Sequence, residues 1–218
     1  MLLQKIGSSS LLIVLLLLVV TACQEERIPI PKPRIYPKVD YPVREYVVFD
    51  QDYCAFTFQY PSYMVFEQDV TFVNQDAKHL CWFNLKIPDL NGVVHFTYTD
   101  ITGKTDEEAS EKLMDVVLDS YDMTEKHNIK ATGRSNYPFE DPTNKIYGVK
   151  YSVEGDVASP YHFVLTDSTQ HAVWAALYFN SRPNADSMRP IVNYVKEDLD
   201  RIIQSFSWNK NNSNQSTK

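Results

Sequence analysis

The chain has 218 residues, 44% of them apolar and 22% charged, with 6 glycines and 12 prolines. That composition excludes collagenous, disordered and multi-span membrane classes. The net charge is −7, from 21 basic and 28 acidic side chains. Without a basic excess, no nucleic-acid partner is expected. The 14 Tyr, 11 Phe and 3 Trp favour a β-rich core.

Residues 1–10 carry one base, Lys5, and residues 11–20 form an unbroken apolar run. Spanning hydrocarbon takes about 20 residues, so this run has the size of a signal-peptide core. Val20-Thr21-Ala22-Cys23 follows. It is similar to the bacterial lipobox, in which small residues precede a lipidated cysteine. The alternative is a plain signal peptide with an incidental cysteine. Residues 1–22 are therefore expected to be removed. Of 218 residues 196 then remain, and with Lys5 gone the side-chain charge becomes −8. The expected membrane partner is reached through acyl chains on Cys23, each buried CH₂ contributing about 0.8 kcal/mol. Cys54 and Cys81 are the remaining cysteines. In an oxidising envelope they most simply pair, which stabilises by about 3–4 kcal/mol in the chain-entropy model; the alternative is two buried thiols.

Residues 23–45 read as a tether. Five prolines lie there, Pro29, Pro31, Pro33, Pro37 and Pro42, and their spacing favours extended polyproline II. A single α+β domain is expected over residues 46–208. In residues 54–60 Phe56, Phe58 and Tyr60 alternate onto one face, the pattern of a half-buried strand. A short strand over 63–67 and a hairpin of 81–87 with 93–99 come next. The first helix is expected over 105–121. Thr105 and Glu108 have the spacing of a capping box. Ala109, Leu113, Val116, Val117 and Tyr121 form its apolar stripe, and Glu111, Asp115, Asp119 and Asp122 an acidic, solvated one. A strand over 129–135 and a loop containing Tyr137 and Phe139 follow. Strand 145–153 comes next, then a hairpin of 161–166 with 171–180. Residues 173–179 are apolar on both faces, as a central strand is. A second helix starts at Ser187 or slightly before, with Pro190 in its first turn. Val192, Val195, Leu199, Ile202, Ile203 and Phe206 give it a continuous stripe, and Glu197 and Arg201 an i, i+4 ion pair. Residues 209–218 are a polar tail. The fold class is α+β: a mostly antiparallel sheet with two main helices packed on it. The closing strand–helix–Ser205-Phe-Ser-Trp208 pattern is similar to the Mog1/PsbP-like sandwich.

Chemistry-bearing motifs are scarce. The chain lacks a Gly-x-Ser-x-Gly elbow and a glycine-rich phosphate loop. His79, His95, His127, His162 and His171 show no metal-ligand spacing. Across the last hairpin His162 should face a residue near Ala175 rather than His171. No catalytic residue, metal or cofactor is expected. Asp167-Ser168-Thr169 and Asp186-Ser187-Met188 are similar to short acceptor sites of periplasmic O-glycosylation. As structural residues, Ser168 is a hairpin turn residue and Ser187 an N-cap.

Eight stretches then stand out together. They are Tyr41-Pro42, Cys54-Ala-Phe-Thr-Phe-Gln-Tyr-Pro61, Cys81-Trp-Phe-Asn84, His95-Phe-Thr-Tyr98, Tyr147-Gly-Val-Lys-Tyr151, Gly155-Asp-Val-Ala-Ser-Pro160, Phe163-Val-Leu-Thr-Asp-Ser168 and Leu177-Tyr-Phe-Asn-Ser-Arg-Pro-Asn184. In order and spacing this set resembles the gliding motility lipoprotein GldD family of Bacteroidota, over about residues 30–208. The resemblance implies an envelope lipoprotein needed for gliding, in a system linked to type IX secretion, with no enzymatic activity. Its implied partners are other gliding or secretion machinery proteins. Cys54 and Cys81 match the family pattern, which supports their pairing. Gln24 after Cys23 implies the outer membrane facing the periplasm, with the cell surface as the other location. The expected role is a non-enzymatic accessory or scaffold. The rivals are an envelope assembly or secretion factor and a glycan- or peptidoglycan-binding lipoprotein. Exposed contact segments are expected around Tyr137 and Phe139 and over residues 158–161.

Overall fold

The structure is a computed structural model that describes residues 38–68, 80–127 and 130–209. The expected signal peptide, Cys23, most of the expected tether, His79 and residues 210–218 lie outside the described residues. Ten strands and two long helices follow one another: β1 (Tyr46–Asp50), β2 (Phe56–Pro61), β3 (Val65–Glu67), β4 (Phe83–Ile87), β5 (Gly92–Asp100), α1 (Asp106–His127), β6 (Ala131–Asp141), β7 (Ile146–Gly155), β8 (Tyr161–Thr166), β9 (His171–Phe179), α2 (Ala185–Ser205) and β10 (Ser207–Trp208). The α+β class holds, with every strand pair antiparallel. The strands divide into a small sheet, β1-β2-β10, and a seven-stranded sheet, β3-β4-β5-β9-β8-β7-β6.

Directly opposed residues share a face, so the register sorts the large sheet. Phe83, Phe96, Ala175 and Phe163 are opposed in turn and lie on one face, all buried. Onto it stack Phe49, Phe56 and Phe58 of the small sheet, with Phe58 and Phe96 ring centroids 5.4 Å apart and Phe49 and Phe83 4.6 Å apart. Helix α2 adds Val195, Leu199, Ile202 and Ile203 to the same core. The other face carries Tyr151, Val153, Val164 and Ala172. Helix α1 packs there across β8 and β9. The molecule is layered: small sheet with α2, large sheet, then α1.

Cys54 and Cys81 form a disulfide with Cα atoms 5.4 Å apart. Both are fully buried. The bond joins the lead into β2 to the lead into β4, tying one sheet to the other. Strand β9 sits between β5 and β8, the central place its apolar run requires.

Several expectations need correction. Helix α1 runs to His127, beyond residue 121, and Tyr121 is an exposed residue rather than part of the buried stripe. Its cap is a variant of the box: Glu108 N–H donates to Thr105 Oγ1 at 3.2 Å, but the Glu108 carboxylate accepts from Lys104 N–H at 2.8 Å. Tyr137 and Phe139 are not in a loop. They lie in β6, which continues through Pro138 as an edge strand, where a missing N–H leaves no ladder bond broken. Helix α2 begins at Ala185 with Asn184 as its cap, accepting from Ser187 N–H, so Ser187 is not the N-cap. Pro190 therefore falls in the second turn. Glu197 and Arg201 do not pair with one another: Glu197 turns to Arg44 and Arg201 to Gln59. Strand β1 was not foreseen. His162, by contrast, opposes Ala176, a residue near Ala175 as expected, and not His171.

Candidate functional site

Helix α2 buries a charge. Asp198 is fully buried yet sits one residue before Leu199 of the apolar stripe. An unpaired carboxylate there would cost several kcal/mol, so its partners define a site. Tyr46 Oη donates to Asp198 Oδ1 at 3.0 Å, and Tyr63 Oη donates to Oδ2. Arg44 Nε stands 3.0 Å from Oδ1. The Arg44 guanidinium also meets the Glu197 carboxylate at 2.7 Å and donates to the Tyr194 carbonyl at 2.8 Å. It lies 4.0 Å from the centre of the Tyr194 ring. On that ring's other contacts, Tyr41 packs at 4.5 Å and Tyr194 Oη donates to the Pro42 carbonyl at 2.5 Å.

The result is a clasp. Tyr41, Pro42 and Arg44, the last residues of the expected tether, wrap Tyr194 and end on Asp198. Burial works against the Arg44 charge, but Asp198, Glu197 and Tyr194 outweigh it and hold its pKa above the ordinary value. Burial and then the Asp198 bond push the Tyr63 hydroxyl well up, so it stays a donor.

Beside the clasp the α2–β7 seam is polar. Lys150 and Ser152 are opposed to core residues Phe163 and Tyr161, and so point at α2 rather than at solvent. Asp200 accepts from Lys150 Nζ at 2.8 Å and Tyr161 Oη at 2.7 Å. Lys196 Nζ donates to Ser152 Oγ at 2.5 Å. Lys196 also lines a cleft of about 220 Å³ between the first turns of α2, the end of β7 and residues 157–160. Burial lowers the Lys196 pKa, and Glu154 and Asp200 offset this in part. The cleft walls include Val157, Phe179 and Met188, with Glu154, Asn193 and Arg189 as polar points. Glu154 is the one carboxylate among its lining residues. Paired-carboxylate glycoside hydrolysis needs two, facing each other across the bond, and this cleft brings up only one.

The family model for the gliding motility lipoprotein GldD matches residues 26–208. The chain belongs to the gliding motility lipoprotein GldD family. Membership places it in gliding motility and in association with the envelope. No helix among the described residues is long and apolar enough to cross a membrane. No curated protein matches the chain. Among solved structures, the solution structure of cyanobacterial PsbP (CyanoP) from Synechocystis sp. PCC 6803 is similar. The identity is 13%, the TM-score 0.42, and the match covers 77% of this chain and 94% of that one. A likeness of that size carries no functional argument.

In this GldD family member the expected site residues are scattered. Ser168 is exposed at the tip of the β8–β9 hairpin with φ 69°. Asp167 Oδ1 shapes that turn by accepting from the N–H groups of Thr169, Gln170 and His171. Ser187 is half-buried in the first turn of α2. Ala158 and Pro160 line the cleft, while Tyr137 stands exposed on β6. The clasp was missed. Its signal was an acid, Asp198, on the buried flank of the α2 stripe, together with the Tyr41-Pro42 stretch of the family set.

Proposed function

We propose that this chain is a non-enzymatic, lipid-anchored accessory or scaffold protein of the gliding and type IX secretion machinery. Residues 1–22 are removed, Cys23 is acylated, and residues 46–208 work from the periplasmic face of the outer membrane. It uses no cofactor. The observation that supports this reading is the clasp. A freely hinged anchor needs no buried charge at its inner end, yet here Arg44 and Asp198 fix the tether to α2, giving the domain a set exit point for its anchor. In a machine that moves surface adhesins, a fixed exit point transmits position and load.

The test is a deletion in the native host, complemented by wild type, Cys23→Ser and Arg44→Met. Surface spreading and the secreted protein profile are scored together. The proposal expects lost spreading with secretion retained, and rescue by wild type alone. Loss of both points to the envelope assembly or secretion factor. No change in either removes the gliding role from this chain.

A second reading rests on the cleft: a glycan or peptidoglycan fragment would stack on Phe179 and bond to Glu154 and Asn193. Titration with muropeptides, followed by the chemical shifts of Gly155 and Asn193, tests it. The exposed Ser168 hydroxyl is the more accessible of the two proposed O-glycosylation sites.

A further inference from the structure

Helix α1 presents a second apolar stripe that no described residue covers. Its inner, mostly half-buried flank runs through Ala109, Leu113, Val116 and Ser120. Met114, Leu118 and Tyr121 are 55%, 51% and 40% exposed. They fall at i, i+4 and i+7, so at about 100° per residue they share one narrow strip. Large side chains lined up this way on a soluble face mark an interaction site. The next strip round the helix is acidic: Glu111, Asp115 and Asp122 are exposed, and none forms an ion pair among the described residues. The helix as a whole carries eight acids and two lysines. Lys112 is committed to Glu108 at 3.2 Å and to the Thr102 carbonyl. Arg134 closes the far end of the strip, its guanidinium 5.3 Å from the Tyr121 ring and paired with Glu125.

We propose that this face docks a basic amphipathic helix of another envelope protein. Its apolar side chains would lie on Met114, Leu118 and Tyr121, with Lys or Arg set against Glu111, Asp115 and Asp122. The pattern is the i, i+4, i+7 anchoring of helix-on-groove recognition, and the charges supply steering and register. Other occupants fit worse. A second copy of the same face would oppose acid to acid, and an anionic lipid surface would be repelled. Residues 210–218 offer lysines but no apolar side chain. The tether leaves from the clasp on α2, on the opposite face of the large sheet. Residues 69–79 leave from β3, at the other edge from β6. The inference rests on the scaffold reading, to which it adds a surface and a partner chemistry.

The test uses the full-length lipoprotein in its native host, carrying Leu118→p-benzoylphenylalanine, with Thr143→p-benzoylphenylalanine as the control on the far turn. After irradiation the cross-linked peptide is sequenced by mass spectrometry. The expected product is a segment of another protein with Lys or Arg beside apolar residues at helical spacing. Adding Asp115→Lys and Asp122→Lys should cut its yield by about tenfold, the effect of reversing two surface charge contacts. Both sites are exposed, so folding should survive, and thermal melting checks this. Cross-links to a second copy, to lipid, to the chain itself or to an acidic or uncharged segment would overturn the proposal. So would no cross-link, or a yield indifferent to the two lysines. Spreading is scored in the same strains: the stated cross-link in a strain whose deletion spreads normally keeps the docking surface and removes the gliding role.

Discussion

Replacing Asp198 by asparagine should loosen the clasp without changing the volume of the core. Two hydroxyls donate to the wild-type carboxylate, Tyr46 Oη and Tyr63 Oη, and the Arg44 guanidinium pairs with it across 3.0 Å from Nε. The amide offers one acceptor oxygen and turns two N–H donors towards groups that also donate. A hydrogen bond to a charged group contributes about 1.5–3 kcal/mol, and breaking a buried ion pair costs about 3–5 kcal/mol. Arg44 is 29% exposed and keeps Glu197, so water and a second carboxylate recover part of the loss. The expected destabilisation is about 2–4 kcal/mol, read as a lower urea midpoint at an unchanged slope. Amide exchange adds the local readout, since residues 41–46 should exchange faster while β9 changes only with global stability. A double-mutant cycle of Asp198→Asn with Arg44→Met should return a coupling of about 1–3 kcal/mol. A destabilisation under about 0.5 kcal/mol, or unaltered exchange at residues 41–46, would refute the reasoning: the segment would then be held by the Tyr41 and Tyr194 rings, with the carboxylate incidental.

Reducing the Cys54–Cys81 bond, or replacing both cysteines by alanine, should cost about 3.5 kcal/mol from the loop of separation 27, measured by urea unfolding. Lys196, whose pKa burial lowers, should be acylated by an N-hydroxysuccinimide ester at mildly alkaline pH ahead of exposed lysines, as mapped by peptide mass spectrometry. Burial also lowers the pKa of His95 and His171 below 6.5. The unfolded chain then binds more protons as pH falls, so their stability contribution is complete above 6.5 and is lost through 6.5 and on through the lower folded values. Melting temperature should drop over that range, and the His95→Gln, His171→Gln variant should flatten the slope. Gly148→Ala should prevent β7 from pairing with β8, because a Cβ there would stand 2.0 Å from the Val164 carbonyl oxygen; loss of soluble protein is the readout.

What the sequence revealed follows the range of the forces involved. The α2 stripe was readable because Val195, Leu199, Ile202 and Ile203 repeat on one helical face, and all four are buried. Strand β9 was readable because residues 173–179 have no polar side to turn outward. Failures came where local rules met tertiary context. Pro138 looked like a break, yet at an edge it opposes Val149 within an intact strand. Helix α1 looked finished at Tyr121 because the apolar repeat ends there, while the helix continues to His127, with Glu125 in its last turns paired to Arg134 of β6. The clasp joins Arg44 to Asp198, more than 150 residues apart, and no local pattern encodes such a meeting. The family resemblance reached the assignment that local chemistry did not, because its eight stretches record the whole surface and core at once.

The layering separates two tasks. On the proposed anchoring, a pull from Cys23 enters at Arg44 and Tyr194 and passes into α2 and β1. From there two routes lead to the large sheet: the stacked Phe49, Phe56, Phe58, Phe83 and Phe96 rings, and the covalent Cys54–Cys81 bond. The large sheet is pinned by long ladders, β5 with β9 from Gly92↔Phe179 to Asp100↔His171, so it resists deformation as a unit. Helix α1 lies on its far side, off that route. It is held by a half-buried flank, by Lys112 at one end and by Arg134 at the other. Elements with few buried apolar contacts open first. A load strong enough to strain the clasp would therefore leave the sheet intact, and partner exchange on α1 would proceed without unfolding the anchored layer. The proposed scaffold role requires that division, and the seven-stranded sheet lies between the clasp and the proposed docking face on α1.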